Sequence, residues 1–338
     1  MASDNSLFTS MRTFPTADEM SDLDYWQRLL PEFSVSQQPF RTAEYDYHFS
    51  LKQTDQLSKQ IRKEGYFQSE PIVPMREIDP LAQAVARINQ AGILPVFIAV
   101  YDQFWQLLHS FRNTFKPILG ELYRMSPDFW VWHIAPNSTA RGWTFHRDAQ
   151  INRPFDTSAK IHEDGQLRLC TIWIPLTDAT THNSCIYVLP FPQDPAIQSF
   201  LRKESMEKIH QHAQLTNWTN IRALPAQAGS VLGWNPYILH WGSQSTDWAT
   251  HARVSIGIYY EAADSPMVGY PFDNEGRRYV NLRDRDCRLS FEDRLRIIAN
   301  ILARYGNKGQ GNKGQMDNEP NFSWAVNEFS KRWKFRQE

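Results

Sequence analysis

The chain has 338 residues, and its 36 basic and 37 acidic side chains leave a formal net charge of −1. Hydrophobic residues make up 41% of the sequence and include 12 Trp, 13 Tyr and 20 Phe, which excludes a wholly disordered chain and is enough to bury a large core. The balanced charge lacks the basic surface of nucleic-acid and membrane-surface binders, so we expect no such partner.

The remaining whole-chain features predict a cytoplasmic protein. The longest apolar run, residues 91–101, is interrupted by Pro95 and falls short of the ~20 residues of a membrane-spanning helix. The N-terminus (MASDNSLFTSMRTF) lacks the basic start and apolar stretch of a secretory signal. The three cysteines form no C-x-x-C pair, which fits free thiols in a reducing compartment: Cys170, Cys185 and Cys287.

The first part of the chain, residues 1–125, is predicted to be mainly helical. A short amphipathic piece spans residues 23–30, within an otherwise polar start. Apolar residues then recur every three or four positions, which is typical of helices, over 54–66, 80–91 and 101–123.

Residues 126–262 change to short runs rich in Trp, Ile, Val and Tyr, separated by Pro, Asn, Gly and Asp. This pattern predicts a jelly roll or barrel with strands near 129–135, 142–148, 167–175, 184–190, 221–225, 229–234, 237–242 and 252–261. Residues 194–215 look helical and interrupt the strands. Such an insertion is a candidate lid over the mouth of a barrel.

Residues 263–338 are predicted to form a helical extension. Helices are expected at 290–305 and 322–335, and the tandem repeat GNKGQ-GNKGQ at 306–315 has the composition of a flexible loop. No composition shift marks a boundary between folding units. We therefore expect a single domain over 1–338, with one β core wrapped by helices.

Two histidines precede an acidic residue by two positions, a pairing that is common by chance. His146 and Asp148 end an aromatic strand-like run (GWTFHRD), and residues i and i+2 of an extended chain point to the same side, so both could bind one ion. His162, in IHEDGQ, precedes a predicted Asp-Gly turn and is expected at the surface. Arg147, between the two candidate ligands, is expected to face away from the metal into solvent.

A third ligand and an anion-binding group come later in the chain. His240 ends the run VLGWNPYILHW, and Arg253 opens the strand RVSIGIYYE with Ser255 two positions further on. Because Arg253 and Ser255 share a strand face, they could form a clamp for a carboxylate. The alternative is that all of these are ordinary hydrogen-bonded polar residues of a β-sandwich.

Three segments together resemble the phytanoyl-CoA dioxygenase family in order and spacing: GWTFHRD, LRLCTIWIPLTDATTHNSCIYVLP and AGSVLGWNPYILHWGSQSTDWATHARVSIGIYYE. A weaker likeness, LSKQIRKEGYFQSEPIV, begins at residue 57, so the resemblance covers about 57–262. It implies a mainly β fold with flanking helices, a double-stranded β-helix. It also implies an enzyme that uses Fe(II), 2-oxoglutarate and O2.

Residue by residue, the resemblance makes His146, Asp148 and His240 the iron ligands. It makes Arg253, with Ser255, the group that holds the distal carboxylate of 2-oxoglutarate. His133, Asn137 and Thr171 are candidates for the other end of that molecule. Trp143, Trp173 and Trp241 are candidates for the substrate pocket, although aromatic residues in strands more often belong to the core.

Two imidazoles and one carboxylate on one face of an octahedral metal leave three positions open, as in non-haem Fe(II) oxygenases. Related halogenases replace the carboxylate with a small residue, so Asp148 favours hydroxylation of a C–H bond in a small organic substrate, with release of succinate and CO2. The alternatives are a non-catalytic β-helix scaffold and a cupin-type metalloenzyme that does not use 2-oxoglutarate. The substrate and the oligomeric state are not indicated by the sequence.

Overall fold

The computed structural model describes residues 15–38, 45–137, 141–149, 161–162, 165–214, 218–265, 289–307 and 325–333. The α-helices described are α1 Leu23–Leu29, α2 Leu51–Glu64, α3 Met75–Gln90, α4 Asp102–His109, α5 Lys116–Leu119, α6 Pro195–Leu201, α7 Met206–Ala213, α8 Phe291–Asn307 and α9 Ser330–Trp333. The strands are β1 Tyr66–Gln68, β2 Tyr123–Ile134, β3 Leu169–Pro175, β4 Ile186–Leu189, β5 Arg222–Leu224, β6 Leu232–Trp234, β7 Leu239–Gly242 and β8 Arg253–Ala262.

These strands form two antiparallel sheets. The larger has five strands in the order β1-β6-β3-β8-β2, and the smaller has three in the order β5-β4-β7. Isolated bridges from Arg141 to Gln244 and from His146 to His240 add the segment around residues 141–146 to the edge of the smaller sheet. The predicted fold class, a double-stranded β-helix with flanking helices, is confirmed.

The larger sheet is covered on both faces. Side chains alternate between the two faces along its central strands, and each set packs into a separate core. Cys170, Ile172 and Ile174 of β3 pack into the core formed with the helices. Trp173, on the opposite face of the same strand, packs into a second core together with Leu232 of β6 and residues of the smaller sheet. The space between the two sheets is therefore lined by every second residue of β3, β6 and β8.

Helix boundaries follow local signals that apolar spacing does not contain. Helix α2 begins after Ser50, which forms a capping box with Gln53, and it ends at Gly65 with φ of 85°. Helix α3 begins after Pro74 and keeps Pro80 inside it, so it starts earlier than the predicted 80–91.

The continuous helix predicted over 101–123 is wrong. It breaks into α4 and the single turn α5, which has a proline in its first turn and ends at Gly120 with φ of 90°. Strand β2 then begins at Tyr123.

Two further differences concern strands. Residues 142–148 form no regular strand and have only the bridge at His146. The short strand β1, paired with β6, lies where the sequence analysis expected only the end of a helix. The predicted insertion over 194–215 is helical, as α6 and α7.

Several predictions fall outside the described residues, among them Cys287 and most of the tandem repeat at 306–315. The predicted single domain stays a prediction. Within the described ranges, no helix combines the length and apolar character needed to cross a membrane.

Candidate functional site

Three predicted ligand residues converge between the two sheets. His146, Asp148 and His240 each offer one ligand atom, and these atoms lie within 4.8 Å of one another. Nε2 of His146 is 3.5 Å from Oδ1 of Asp148, and Nε2 of His240 is 3.8 Å from the same oxygen. Backbone pairing fixes this arrangement, because the amides of His146 and His240 each donate to the carbonyl of the other at 3.0 Å.

Both imidazoles are oriented in the same way. Nδ1 of His146 lies 2.6 Å from the carbonyl oxygen of Thr144, and Nδ1 of His240 lies 3.1 Å from that of Ile238. A proton on Nδ1 satisfies each carbonyl and directs the Nε2 lone pair toward Asp148 and a shared ion. Burial lowers the pKa of His240 to about 4, so this ring is neutral, as a metal ligand must be, at neutral pH.

The Asp148 carboxylate is held by three donors from the larger sheet. Oδ2 accepts from the Thr171 hydroxyl at 2.6 Å and from Nε1 of Trp234 at 3.0 Å, and Oδ1 accepts from the Tyr259 hydroxyl at 3.0 Å. A carboxylate has about four lone-pair directions, so the one that remains, on Oδ1, suits a single bond to an ion.

The charge of Asp148 is favoured by its neighbours. Burial alone would raise the pKa of this carboxyl, but His240, His146 and the Thr171 hydroxyl hold it below its usual range. The carboxylate is therefore an anion at neutral pH, and together with the two imidazoles it forms the donor set of a divalent metal site.

Thr171 therefore binds Asp148, whereas the sequence analysis placed it beside the cosubstrate. Trp234 and Tyr259 were not predicted at all. A signal for Tyr259 was present, because it lies at an even spacing from Arg253 and Ser255 and alternation puts all three on one face of β8. No comparable sequence signal marks Trp234.

We expect Tyr259→Phe to lower metal affinity about 10- to 100-fold, the range typical for loss of an outer hydrogen bond to a ligand. The ring that packs between the sheets is retained, so the fold should survive. Isothermal titration with Mn(II) under anaerobic conditions measures the effect. Tyr260→Phe is the matched control, because the Tyr260 hydroxyl donates to the Leu108 carbonyl on the other side of the sheet. Equal affinities in the two variants would contradict this role for Tyr259.

A buried guanidinium lies beside the ligand cluster. Arg253 is 1% exposed; its Nη1 donates to Oγ of Ser255 at 2.7 Å and its Nη2 to Oγ of Ser184 at 3.4 Å. The guanidinium carbon lies 5.6 Å from the ring centroid of Trp173. Its Nε, although buried, has no hydrogen-bond partner. Within the described ranges, no carboxylate lies within salt-bridge distance of Arg253.

This unpaired cation indicates an anionic ligand. Burial lowers the pKa of Arg253 to about 9, because a charge placed between the sheets without a counter-charge loses its hydration and is not compensated. A carboxylate that accepted from the guanidinium would remove that cost and satisfy Nε. The residues present therefore fit a dicarboxylic cosubstrate such as 2-oxoglutarate.

Two glycines bring the guanidinium close to the ligands. A Cβ on Gly142 would lie 2.9 Å from Cα of Gly242 and 3.2 Å from Nη2 of Arg253, so the segments touch only because both side chains are absent. Gly242 is two residues beyond His240 on β7, a step of about 7 Å along an extended strand. The anion clamp and the candidate metal site are therefore immediate neighbours.

Two of the predicted cosubstrate residues are not brought to this site. His133 is paired in register with Val254, so it points to the helical side of the sheet, where Nδ1 lies 3.2 Å from the Asn89 amide nitrogen. Asn137 lies after β2 with φ of 54°, and its side-chain amide lies against the carbonyls of Thr246 and Asp247, at 3.0 and 3.2 Å once its nitrogen is assigned as the donor to them. We therefore leave both out of the candidate site.

The three predicted pocket tryptophans are placed differently from one another. Trp173 lies between the sheets against Arg253. Trp143 packs edge to face against His146 and against Trp132, with ring centroids 6.3 and 5.6 Å apart. Trp241 follows His240 on β7 and so faces the opposite way, where it stacks on Tyr187 at 5.7 Å. Only Trp143 and Trp173 remain candidates for the pocket.

Arg147 points away from the ligands as predicted, but into a buried ion pair and not into solvent. Its Nη2 lies 2.7 Å from Oδ2 of Asp194, and its Nη1 donates to the Tyr237 carbonyl at 2.6 Å. The other oxygen of Asp194, which is fully buried, accepts from the first amides of α6. One cation thus links the ligand segment, the turn before His240 and the inserted helices.

His162 belongs to another cluster. Its Nδ1 accepts from Nε of Arg168 at 3.2 Å, and its Nε2 lies 3.6 Å from Oδ1 of Asp264. This placement agrees with its expected exclusion from the ligand set.

The sequence matches the profile of one protein family, phytanoyl-CoA dioxygenase (PhyH), over residues 12–249. The matched range ends four residues before Arg253, so the family match does not include this residue and its place in the site is known from the geometry above. No curated protein matches the chain.

Solved structures give distant likenesses of fold. The 2-oxoglutarate-dependent epimerase SnoN from nogalamycin biosynthesis has a TM-score of 0.49 and 15% identity, covering 69% of this chain and 98% of SnoN. The non-haem monooxygenase ThoJ, solved with nickel, has a TM-score of 0.46 and 15% identity, covering 75% and 98%. EctD from S. alaskensis with bound iron has a TM-score of 0.43 and 16% identity, covering 69% and 84%.

Proposed function

The chain belongs to the phytanoyl-CoA dioxygenase family and is an oxygenase dependent on Fe(II) and 2-oxoglutarate, and from this premise we propose that it hydroxylates or otherwise oxidises an unactivated C–H bond of a small organic molecule. The observation that carries the proposal is the convergence of ligand atoms of His146, Asp148 and His240 within 4.8 Å. The adjacent Arg253, buried and without a counter-charge, supports it.

Each residue has a separate task in this proposal. His146 and His240 hold the iron through Nε2, and Asp148 holds it through Oδ1. Arg253, with Ser255, binds the distal carboxylate of 2-oxoglutarate. When bound, iron and 2-oxoglutarate supply the oxidising chemistry, in which O2 is consumed, the keto acid becomes succinate and CO2, and one oxygen atom reaches the substrate.

The protein environment favours hydroxylation and limits side reactions. Asp148 occupies, as a fixed anion, the ligand position that a halide would need in a halogenase. Trp173 and Trp143 border the ligand cluster and the guanidinium, and their rings keep bulk water from this part of the site. A dry site strengthens the electrostatic contacts made by Asp148 and Arg253.

The proposal predicts two measurable reactions. Anaerobic addition of Fe(II) and 2-oxoglutarate should produce a visible charge-transfer band that neither produces alone. Admission of O2 should then yield succinate and CO2, slowly at first and faster when a substrate is added. Candidate substrates can be found by incubating the enzyme with fractionated metabolites and searching by mass spectrometry for products that gain one oxygen atom from labelled O2.

The outcomes separate the alternatives. No band and no succinate would favour a non-catalytic scaffold. Metal-dependent turnover of a substrate that proceeds without 2-oxoglutarate, and is unchanged in Arg253→Met, would favour a cupin-type enzyme. Incorporation of labelled oxygen coupled to succinate formation is the expected result.

A further inference from the structure

Ser184 lies beside Arg253 in a backbone conformation that residues other than glycine rarely adopt. Its φ is 78°, and it is fully buried, two residues before β4 begins. Such left-handed residues cost free energy and cluster at active sites and ligand clamps. Glycine would take this φ without steric cost, so the presence of serine points to a role for its side chain.

The Ser184 hydroxyl joins two elements at the guanidinium. It donates to the carbonyl of Ser243, just beyond β7, and accepts from Nη2 of Arg253 at 3.4 Å. Room for the hydroxyl depends on glycine, because a Cβ on Gly242 would lie 3.3 Å from Oγ of Ser184. The strained backbone and the missing side chain together place this hydroxyl against Arg253.

The guanidinium is consequently fixed on three sides. Ser255 holds Nη1, Ser184 holds Nη2, and Trp173 lies against the group at 5.6 Å. Among its nitrogens, Nε has no partner, and each Nη carries a second N–H. A guanidinium held in this way cannot rotate about its last bonds without breaking one of these contacts. Its remaining donors are therefore oriented before any anion arrives, which lowers the entropic cost of binding.

We propose that Ser184 is a positioning residue for 2-oxoglutarate, whose hydroxyl, held by a strained backbone, orients Arg253 toward the distal carboxylate. This inference rests on the proposed function, in which Arg253 binds that carboxylate. Ser184 acts through Arg253 and has no chemical step of its own.

The test compares two variants that both lack the hydroxyl. Ser184→Gly relieves the backbone strain and Ser184→Ala retains it, so the Tm without ligands should be higher for the glycine variant than for the alanine variant. The affinity for 2-oxoglutarate is measured by anaerobic titration of the charge-transfer band, and Mn(II) affinity by calorimetry. We expect both variants to bind 2-oxoglutarate about tenfold more weakly, the lower end of the effect of losing a hydrogen bond to a charged group, with Mn(II) affinity unchanged.

If Ser184 had only a structural role, the affinity for 2-oxoglutarate would fall only in a variant whose Tm also falls. Ser184→Gly would then bind 2-oxoglutarate like the wild type. That result would overturn the inference. Arg253→Met, titrated in the same assay, distinguishes the positioning role of Ser184 from carboxylate binding by Arg253. If it loses affinity while Ser184→Gly does not, only the positioning role fails; if it too binds normally, the carboxylate assignment fails as well.

Discussion

Replacing His146 with alanine is expected to abolish high-affinity metal binding. Asp148 and His240 would remain as ligands, and His240 lies 3.8 Å from the Asp148 carboxylate. Two donors cannot hold a labile divalent ion as three do, and loss of an outer partner alone typically costs 10- to 100-fold. We therefore expect a loss of Fe(II) or Mn(II) affinity larger than about 100-fold, measured by anaerobic calorimetry. The charge-transfer band and succinate formation should disappear with it.

His162→Ala is the matched control for this experiment. Both histidines stand two residues before an aspartate, in His146-Arg-Asp148 and His162-Glu-Asp164. His162, however, pairs with Arg168 and Asp264, so its loss should leave metal affinity unchanged. Similar affinities for the two variants, or full metal binding by His146→Ala, would refute the assignment of this cluster as the iron site.

Both pairs that the i, i+2 spacing predicts are close together in the structure, but for different reasons. Arg253 and Ser255 share a face of β8, as alternation along a strand predicts. His146 and Asp148 also converge, although residues 142–148 form no regular strand. The same rule, applied to the register of β2 against β8, would have excluded His133, which lies opposite Val254. Alternation would also have excluded Trp241, because Trp241 directly follows His240 on β7 and so faces the opposite side of the strand.

What the sequence could not provide are contacts that depend on how two sheets meet. Thr171 and Trp234 reach Asp148 from strands that are distant in sequence, and nothing in their local spacing marks them. The buried pair of Arg147 and Asp194 is of the same kind. The predicted helix boundaries were wrong for a different reason. Capping residues and prolines set where these helices begin and end, and apolar spacing carries no information about them.

Arg253→Met is expected to separate stability from cosubstrate binding. Burial lowers the pKa of Arg253 to about 9, below its value in the unfolded chain, so the unfolded chain binds this proton more tightly. The buried charge therefore costs stability at every pH below about 9, and the cost fades as the pH rises above that value. At pH 7.5, methionine should leave the ligand-free protein at least as stable as the wild type.

Binding should change in the opposite direction. Removing a buried charge that pairs with a carboxylate typically costs 2–5 kcal/mol or more, so we expect 2-oxoglutarate affinity to fall by roughly 30-fold or more. Ligand at one hundred times its wild-type Kd stabilises the protein by about 2.7 kcal/mol, and at the same ligand concentration a 30-fold loss of affinity should reduce this gain to about 0.9 kcal/mol or less. Urea unfolding with and without 2-oxoglutarate, in the presence of Mn(II), measures both effects.

Arg294→Met is the control for Arg253→Met, because it removes a buried arginine that has a carboxylate partner. Arg294 is also fully buried, but its Nη1 lies 2.6 Å from Oδ1 of Asp102. Breaking that pair strands a buried carboxylate and should destabilise the protein by about 3–5 kcal/mol, with 2-oxoglutarate affinity retained. If Arg253→Met instead destabilised the ligand-free protein like Arg294→Met, the guanidinium would have a structural partner. If it kept its response to 2-oxoglutarate, the carboxylate would bind elsewhere.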